Sequence, residues 1–369
     1  MRNIEICFAL LDNVAKMHPT HQYAEDVING KIVACRYVKL ACERHINDLD
    51  RKSVYFDEPA ARQVIDFFPR FLRHSKGEWA NRPFHLALWQ KFVVGCLFGW
   101  KNTDTGYRRF NLAYLEVARK NGKTTMIAGI GNFLFLADKE PGAEVYTAAT
   151  KKDQAKLSHS ESVRMVKKSP KLRKLVKIYN NNMSNEATAS KYEPLGADAD
   201  TVDGLNVSGG LIDELHAHKK RDMWDVLETA TGSRRQPLQM AITTAGTDQA
   251  GICYEQHQYV AQILKGAIED DNYFGIIYTL DLNKDWPDIK KPNEDNWADE
   301  SVWLKANPNL ENSAKIEDLR RKCKKARIIP AAQNNFLRKH MDVWTQQVSR
   351  WIDLDTWDNN NEGGVYVYQ

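Results

Sequence analysis

The chain has 369 residues, 43% hydrophobic and 27% charged, the mix of a folded chain with a sizeable core rather than a disordered or fibrous one. It carries 52 basic against 48 acidic residues, and the net charge of +4 is too near zero to argue nucleic-acid binding from the total. No apolar run approaches the roughly 18 residues of a membrane span, and none of the cysteines (Cys7, Cys35, Cys42, Cys96, Cys253, Cys323) stands in the C-x-x-C spacing of a zinc site. Asp12 and Lys16 interrupt the apolar start, against a signal peptide, so reduced thiols in a cytoplasm are the simplest reading. Residues 1–75 read as helical, with apolar side chains at three-to-four spacing in pieces such as EDVINGKIVACRYVKL. From residue 110 short β runs alternate with helices: NLAYLEVA as strand, GKTTMIAGIGNFLFLA as helix, AEVYTAA as strand, KDQAKLSHSESVRMVKKS as helix, then NVSGGLID and PLQMAITTA as strands. Such alternation predicts a mainly parallel sheet covered by helices, an α/β fold. Beyond residue 255 an acidic stretch with Trp286 and Trp297 leads to Trp303, and a basic helical piece, EDLRRKCKKAR, follows.

One stretch carries the chemistry. VARKNGKT, residues 117–124, ends like a phosphate-binding loop but has Val117 where the first glycine usually makes a tight turn. A strand precedes it and an apolar helix follows, so backbone N–H groups and a helix N-terminus would face an anion. Gly122 permits close backbone approach, Lys123 is expected on the β- and γ-phosphates, and Thr124 on Mg²⁺. A second acidic motif is expected at the end of a later strand, and GGLIDELHAH supplies it. Asp213 would orient the metal shell and Glu214 the attacking water. The next strand ends in ITTAGT, where Thr244 and Gly246 are candidates for sensing the γ-phosphate; a plain strand-to-loop turn is the alternative. His216 and His218 stand at i and i+2 without a third ligand nearby, a poor zinc face.

Together these pieces resemble the large terminase subunit of tailed bacteriophages, over roughly residues 20–357. LALWQKFVVGCLFGW is similar to that family's adenine-recognition segment, and RRFNLAYLEVARKNGKTT to its phosphate loop, in which the first glycine is often absent and an arginine lies inside. GGLIDELHAH and AITTAGT are similar to its acidic and coupling motifs, and DESVWLKANPNL and NNFLRKHMDVWTQQVSRWI to the segments that close its ATPase half. The resemblance implies a P-loop NTPase fold with a helical N-terminal region and a C-terminal lid. The expected division is an ATPase domain at 1–255 (helical region 1–75, core 76–255) and a lid and linker at 256–356. A tail at 357–369 would lead toward a nuclease domain expected to be absent from this chain.

The resemblance further implies a ring motor in the host cytoplasm, transiently on the procapsid portal, that uses ATP and Mg²⁺ to translocate double-stranded DNA. Its partners would be DNA, portal protein, a small terminase subunit and other copies of itself, with no membrane. Trp89 and Gln90 would meet adenine, with an ordinary core tryptophan as the alternative for Trp89. Lys120, Asn121, Gly122, Lys123, Thr124 and Thr125 would bind the phosphates. Catalysis would rest on Glu214, Lys123, Arg119 inside the loop, and an arginine given in trans, for which Arg235 is preferred over Arg234, Arg109 and the arginines of 320–327. Residues 151–180 hold ten basic and two acidic side chains, either a track for DNA phosphates or a solvated helix face. A helicase or repair-type ATPase and a non-hydrolysing DNA-binding assembly module are the alternatives.

Overall fold

The computed structural model describes residues 17–149, 152–196, 204–286 and 294–345. The N-terminal helices are α1 (Pro19–Ile28), α2 (Arg36–Asp48) and α3 (Glu58–Phe71), with β1 (Val54–Phe56) between the last two. Asp57 starts α3 by accepting the Ala60 N–H at 2.9 Å, with Pro59 in the first turn where a missing N–H costs nothing. Helix α4 (Leu88–Gly99) runs into β2 (Trp100–Asn102), which pairs antiparallel with β1. All of α4 from Trp89 to Gly99 except Lys91 is buried, because α1 and α3 cover it from two sides.

The central sheet then unfolds in chain order. Strand β3 (Leu112–Glu116) leads into α5 (Lys123–Leu136), β4 (Glu144–Ala149), α6 (Lys152–Lys168) and the short α7 (Pro170–Arg173). A small antiparallel excursion follows, β5 (Lys177–Ile178), β6 (Met183–Asn185) and β7 (Ser190–Gly196), then β8 (Gly209–Asp213), α8 (Asp222–Thr229), β9 (Leu238–Thr243), α9 (Ile252–Leu264) and β10 (Tyr273–Ile277). The order across the sheet is β10-β3-β9-β8-β4-β7-β6-β5, parallel from β10 to β7 and antiparallel beyond. Strands buried on both faces read as near-continuous apolar runs, and LQMAIT in β9 is buried at every position.

The remaining helices, α10 (Trp303–Ala306), α11 (Ile316–Ala326) and α12 (Pro330–His340), stand beside the sheet. They close a second, smaller core of Leu280, Trp303, Leu319, Cys323, Ala326, Phe336, Met341 and Val343. The main core takes in Tyr278, and the second begins at Leu280; residue 255, the boundary drawn from the sequence, lies inside α9. None of the helices among the described residues is long and apolar enough to cross a membrane. The expected tail at 357–369 lies outside the described residues.

Candidate nucleotide-binding site

Three neighbouring strands bring the motifs together. Register pairs Glu116 of β3 with Thr243 of β9, and Ile242 of β9 with Asp213 of β8, so the phosphate loop, the coupling loop and the acidic pair share the carboxyl edge of the sheet. That edge is where open parallel sheets bind ligands. The strand carrying the coupling motif lies between the other two, beside both.

The loop runs from Val117 to Gly122 and enters α5 at Lys123. Two of its residues adopt the left-handed conformation: Gly122 at φ 84° and Lys120 at φ 71°. Glycine does so freely; lysine pays about 1 kcal/mol for it. Lys123 is 6% exposed, and its Nζ donates to the carbonyls of Val117 at 2.8 Å and Ala118 at 3.2 Å. Burial holds its pKa below the ordinary lysine value, against the opposing pull of Glu214, Asp342 and Asp213. The expected phosphate-binding lysine is therefore folded back onto its own loop.

Thr124 Oγ1 donates to Asp213 Oδ2 at 3.0 Å, and Ser158 of α6 donates to the same oxygen at 2.6 Å. The other oxygen, Oδ1, is buried without a partner. Burial, then Glu214, pushes the Asp213 carboxyl above its ordinary range. An acceptor oxygen with no donor, beside a threonine hydroxyl, is a donor set that fits a hard cation. A cavity of about 260 Å³ opens there, lined among others by Thr124, Ser158, Asp213, Glu214 and His218.

Glu214 follows in the left-handed conformation, φ 58° and ψ 52°, a strained setting for a side chain with Cβ. Burial alone would raise its pKa, but His216, Lys123 and Arg119 more than offset this and leave it below the usual value. His216 Nδ1 lies 3.2 Å from Glu214 Oε2, outside hydrogen-bond alignment, so the contact is electrostatic. The same nitrogen lies 3.2 Å from Thr243 Oγ1 and 3.4 Å from Thr244 Oγ1. His216 thus joins the acidic motif to the coupling loop, a position the sequence reading considered only for zinc. Among the described residues no group of three His, Cys, Asp or Glu side chains is placed to hold a metal.

Other expected residues fall as follows. Gln90 is buried with its Oε1 accepting the Ala87 N–H at 3.0 Å, and a Cβ on Gly122 would lie 3.4 Å from its Nε2, so Gln90 borders the loop. Trp89 is a correction: only 2% exposed and edge-on to Tyr278, it has no face left for adenine. Asn121 is fully buried with its side chain turned toward the lid. Arg119 is exposed, and its N–H donates to Lys339 O at 2.9 Å. Thr125 sits in the first turn of α5. Gly246 packs against Trp344, whose ring lies 3.0 Å from where a Cβ would stand, so the coupling loop has no room for a side chain there.

Two arginine alternatives are used up. Arg109 is fully buried against Asp48 and Asp271, and Arg234 is held by Asn206 O, Gly142 O and Pro141 O. Arg235 is exposed and donates to Tyr107 OH at 3.1 Å, just before the amino end of β9 and thus at the far edge of the sheet from its own loop. Asp342, like Ser158, was not among the sequence candidates. Asp342 is fully buried at φ 55°, accepts the Ala245 N–H at 2.8 Å through Oδ1 and leaves Oδ2 without a partner. Burial and Glu116 push its carboxyl well above the ordinary range. No spacing marks it, because lid and coupling loop meet only in the fold.

A family model described as terminase large subunit, ATPase domain, matches residues 88–262. A second, terminase large subunit, endonuclease domain, matches residues 267–366. This corrects the expectation that nothing of the nuclease half is present. Within that second match, β10 is the edge strand of the sheet that carries the loop, and α10, α11 and α12 build the smaller core. The large terminase subunit of Enterobacteria phage HK97 is 26% identical over 302 residues, 80% of this chain and 55% of that protein. Protein YmfN of Escherichia coli (strain K12) is 34% identical over 167 residues, 45% of this chain and 34% of that one. The chain thus spans about half or less of the length of these curated relatives. The crystal structure of the HK97 bacteriophage large terminase superposes with a TM-score of 0.65 at 24% identity, over 81% of this chain and 58% of that one, which shows the α/β fold. Two domain models of one family meet along residues 88–366, on the sheet whose edge gathers the loop and the acidic pair, and the chain belongs to the terminase large subunit family.

Proposed function

We propose that this chain is the ATP-hydrolysing motor of viral DNA packaging, which drives double-stranded DNA through a portal into a procapsid in the host cytoplasm. The observation that carries the reading is the convergence of Lys123, Thr124, Asp213 and Glu214 at one sheet edge, with Thr124 bonded to Asp213. Mg²⁺, held by Thr124 and Asp213, would neutralise charge on the β- and γ-phosphates. Lys123 would leave its two carbonyls for phosphate oxygens, and the N–H groups of Lys120 to Thr125 would line the phosphates. Glu214, kept ionised, would accept the proton of the attacking water, and His216 would pass its state to Thr243 and Thr244. Gln90 is the side chain of the adenine segment that reaches the loop. Arg119 would meet the γ-phosphate, and Arg235 would complete a neighbouring copy's site in a ring.

DNA contact falls to the basic run. Among the described residues Lys167, Lys171, Arg173 and Lys174 have no carboxylate within ion-pair distance, so their charge is available to phosphates. Portal protein and a small terminase subunit are the further partners, and the main core and the smaller core would act as ATPase body and lid. The test is steady-state ATP hydrolysis against protein concentration, with Glu214→Gln as control. The rate per chain should rise with concentration and fall by about 10²–10⁴ in the control, while ATP binding persists. A wild-type rate at the control's level at every concentration, with DNA present, would refute the reading.

A further inference from the structure

The loop has lost the glycine that lets such a turn hold its own shape, yet it contains two left-handed residues within three positions. Something else must fix it. The support comes from the segment Asn307-Pro308-Asn309, which follows α10. The Asn121 amide donates to Ala118 O at 3.0 Å within the loop and to Asn307 Oδ1 at 3.1 Å across to the lid. Its Oδ1 accepts the Asn309 N–H at 3.0 Å, and Asn309 Nδ2 lies 3.4 Å from Asn121 O. Ser313 Oγ adds a bond to Lys120 O at 2.5 Å, at the strained residue itself. Asn307 in turn donates to Trp303 O and His340 O, at 3.1 and 2.8 Å, which anchors it to both ends of the lid. Asn121 and Asn307 are fully buried and Asn309 is 8% exposed. Buried amide pairs of this kind are costly to break from one side only, because the remaining partner stays dry and unsatisfied.

We propose that Asn307 and Asn309 are positioning residues for the phosphate loop: the Asn307 side chain and the Asn309 backbone N–H, with a longer contact from the Asn309 amide, hold the turn from Ala118 to Gly122 where a glycine-built turn would hold itself. The proposal rests on the nucleotide-site reading above and deepens it, since it makes loop shape, and with it ATP affinity, a property of lid position. Both reach the loop through Asn121.

The experiment uses the full chain in the Glu214→Gln background, which stops turnover, and compares Asn307→Ala, Asn309→Ala and Ser313→Ala with the parent. Two quantities are read: hydrogen exchange of the amides of residues 118–126 without nucleotide, and the ATP dissociation constant. Asn307→Ala should speed loop exchange and weaken ATP binding about tenfold, the equivalent of one to two net hydrogen bonds. Asn309→Ala keeps its backbone N–H bond to Asn121 and should shift both about threefold. Ser313→Ala, at an exposed site, keeps the fold and should shift both about threefold. With Glu214 restored, KM should rise in the variants while kcat at saturating ATP stays within about threefold of wild type. Unchanged loop exchange and unchanged ATP affinity, with only a lower melting temperature, would reduce the asparagines to ordinary structural residues and overturn the proposal. A parent that binds no ATP, while the substitutions still loosen the loop, would refute the motor reading and leave the lid's support of the loop standing.

Discussion

Asp342 shows what one buried carboxyl does to the whole chain. Its folded pKa is raised by burial, then by Glu116 and Glu214, against Lys123 and the Ala245 N–H. A raised acid stabilises the fold fully below its unfolded value, near 3.9, and that stability is lost as pH climbs through the folded value. Asp342→Asn removes the titration and suits the left-handed backbone, which asparagine tolerates. Denaturant unfolding of the two proteins should therefore nearly coincide at pH 4 and diverge above it in the variant's favour, by at most about 1.4 kcal/mol per pH unit. A difference that stays flat to pH 8 would mean the carboxyl is already ionised at pH 4. At this scale the candidates Lys123, Thr124, Asp213 and Glu214 were legible as motifs at strand ends, and the fold brings them to one sheet edge. Asp342, His216 and Ser158 were not, because each joins the site through a contact between segments far apart in sequence.

Helix α5 is buried along nearly its whole length, so it lacks the one-sided apolar stripe that usually announces a helix. Its glycines explain how neighbours come so close. A Cβ on Gly129 would stand 2.3 Å from the Phe68 ring of α3, and one on Gly131 would stand 2.4 Å from Tyr192 OH. Gly129→Ala gains about 1 kcal/mol of helix propensity but forces a rigid ring aside, and overpacking costs about 1–3 kcal/mol. The variant should be less stable by about 1 kcal/mol, read by urea unfolding; equal or greater stability would show that α3 can move off α5 freely. The parallel strands with long apolar runs were readable from the sequence. The excursion β5 to β7 was not, since β7 contains Pro194 and polar residues that argue against a strand. Strand β10 sits at the start of an acidic stretch and was hidden by its surroundings; it is short and finds its place only by pairing with β3.

Across the whole molecule, the fold class was legible because alternation of strand and helix leaves few alternatives. That residues 267–366 match the endonuclease domain was not, since the segments DESVWLKANPNL and NNFLRKHMDVWTQQVSRWI read as closing the ATPase half. Arg235 and the loop occupy opposite edges of the sheet, so one chain has no means of joining them. Mixing Arg235→Ala with Glu214→Gln should therefore restore hydrolysis that neither shows alone, as each supplies what the other lacks. Activity of Arg235→Ala equal to wild type would remove this arginine from the reaction. The DNA binding proposed for the basic run should weaken steeply with salt and show no sequence preference.

Lys123 resting on the carbonyls of Val117 and Ala118 has a kinetic consequence. In the proposed reaction those two carbonyls would compete with phosphate oxygens for the ammonium. Loss of phosphate would then be helped by the loop's own backbone, which offers Lys123 a ready alternative partner.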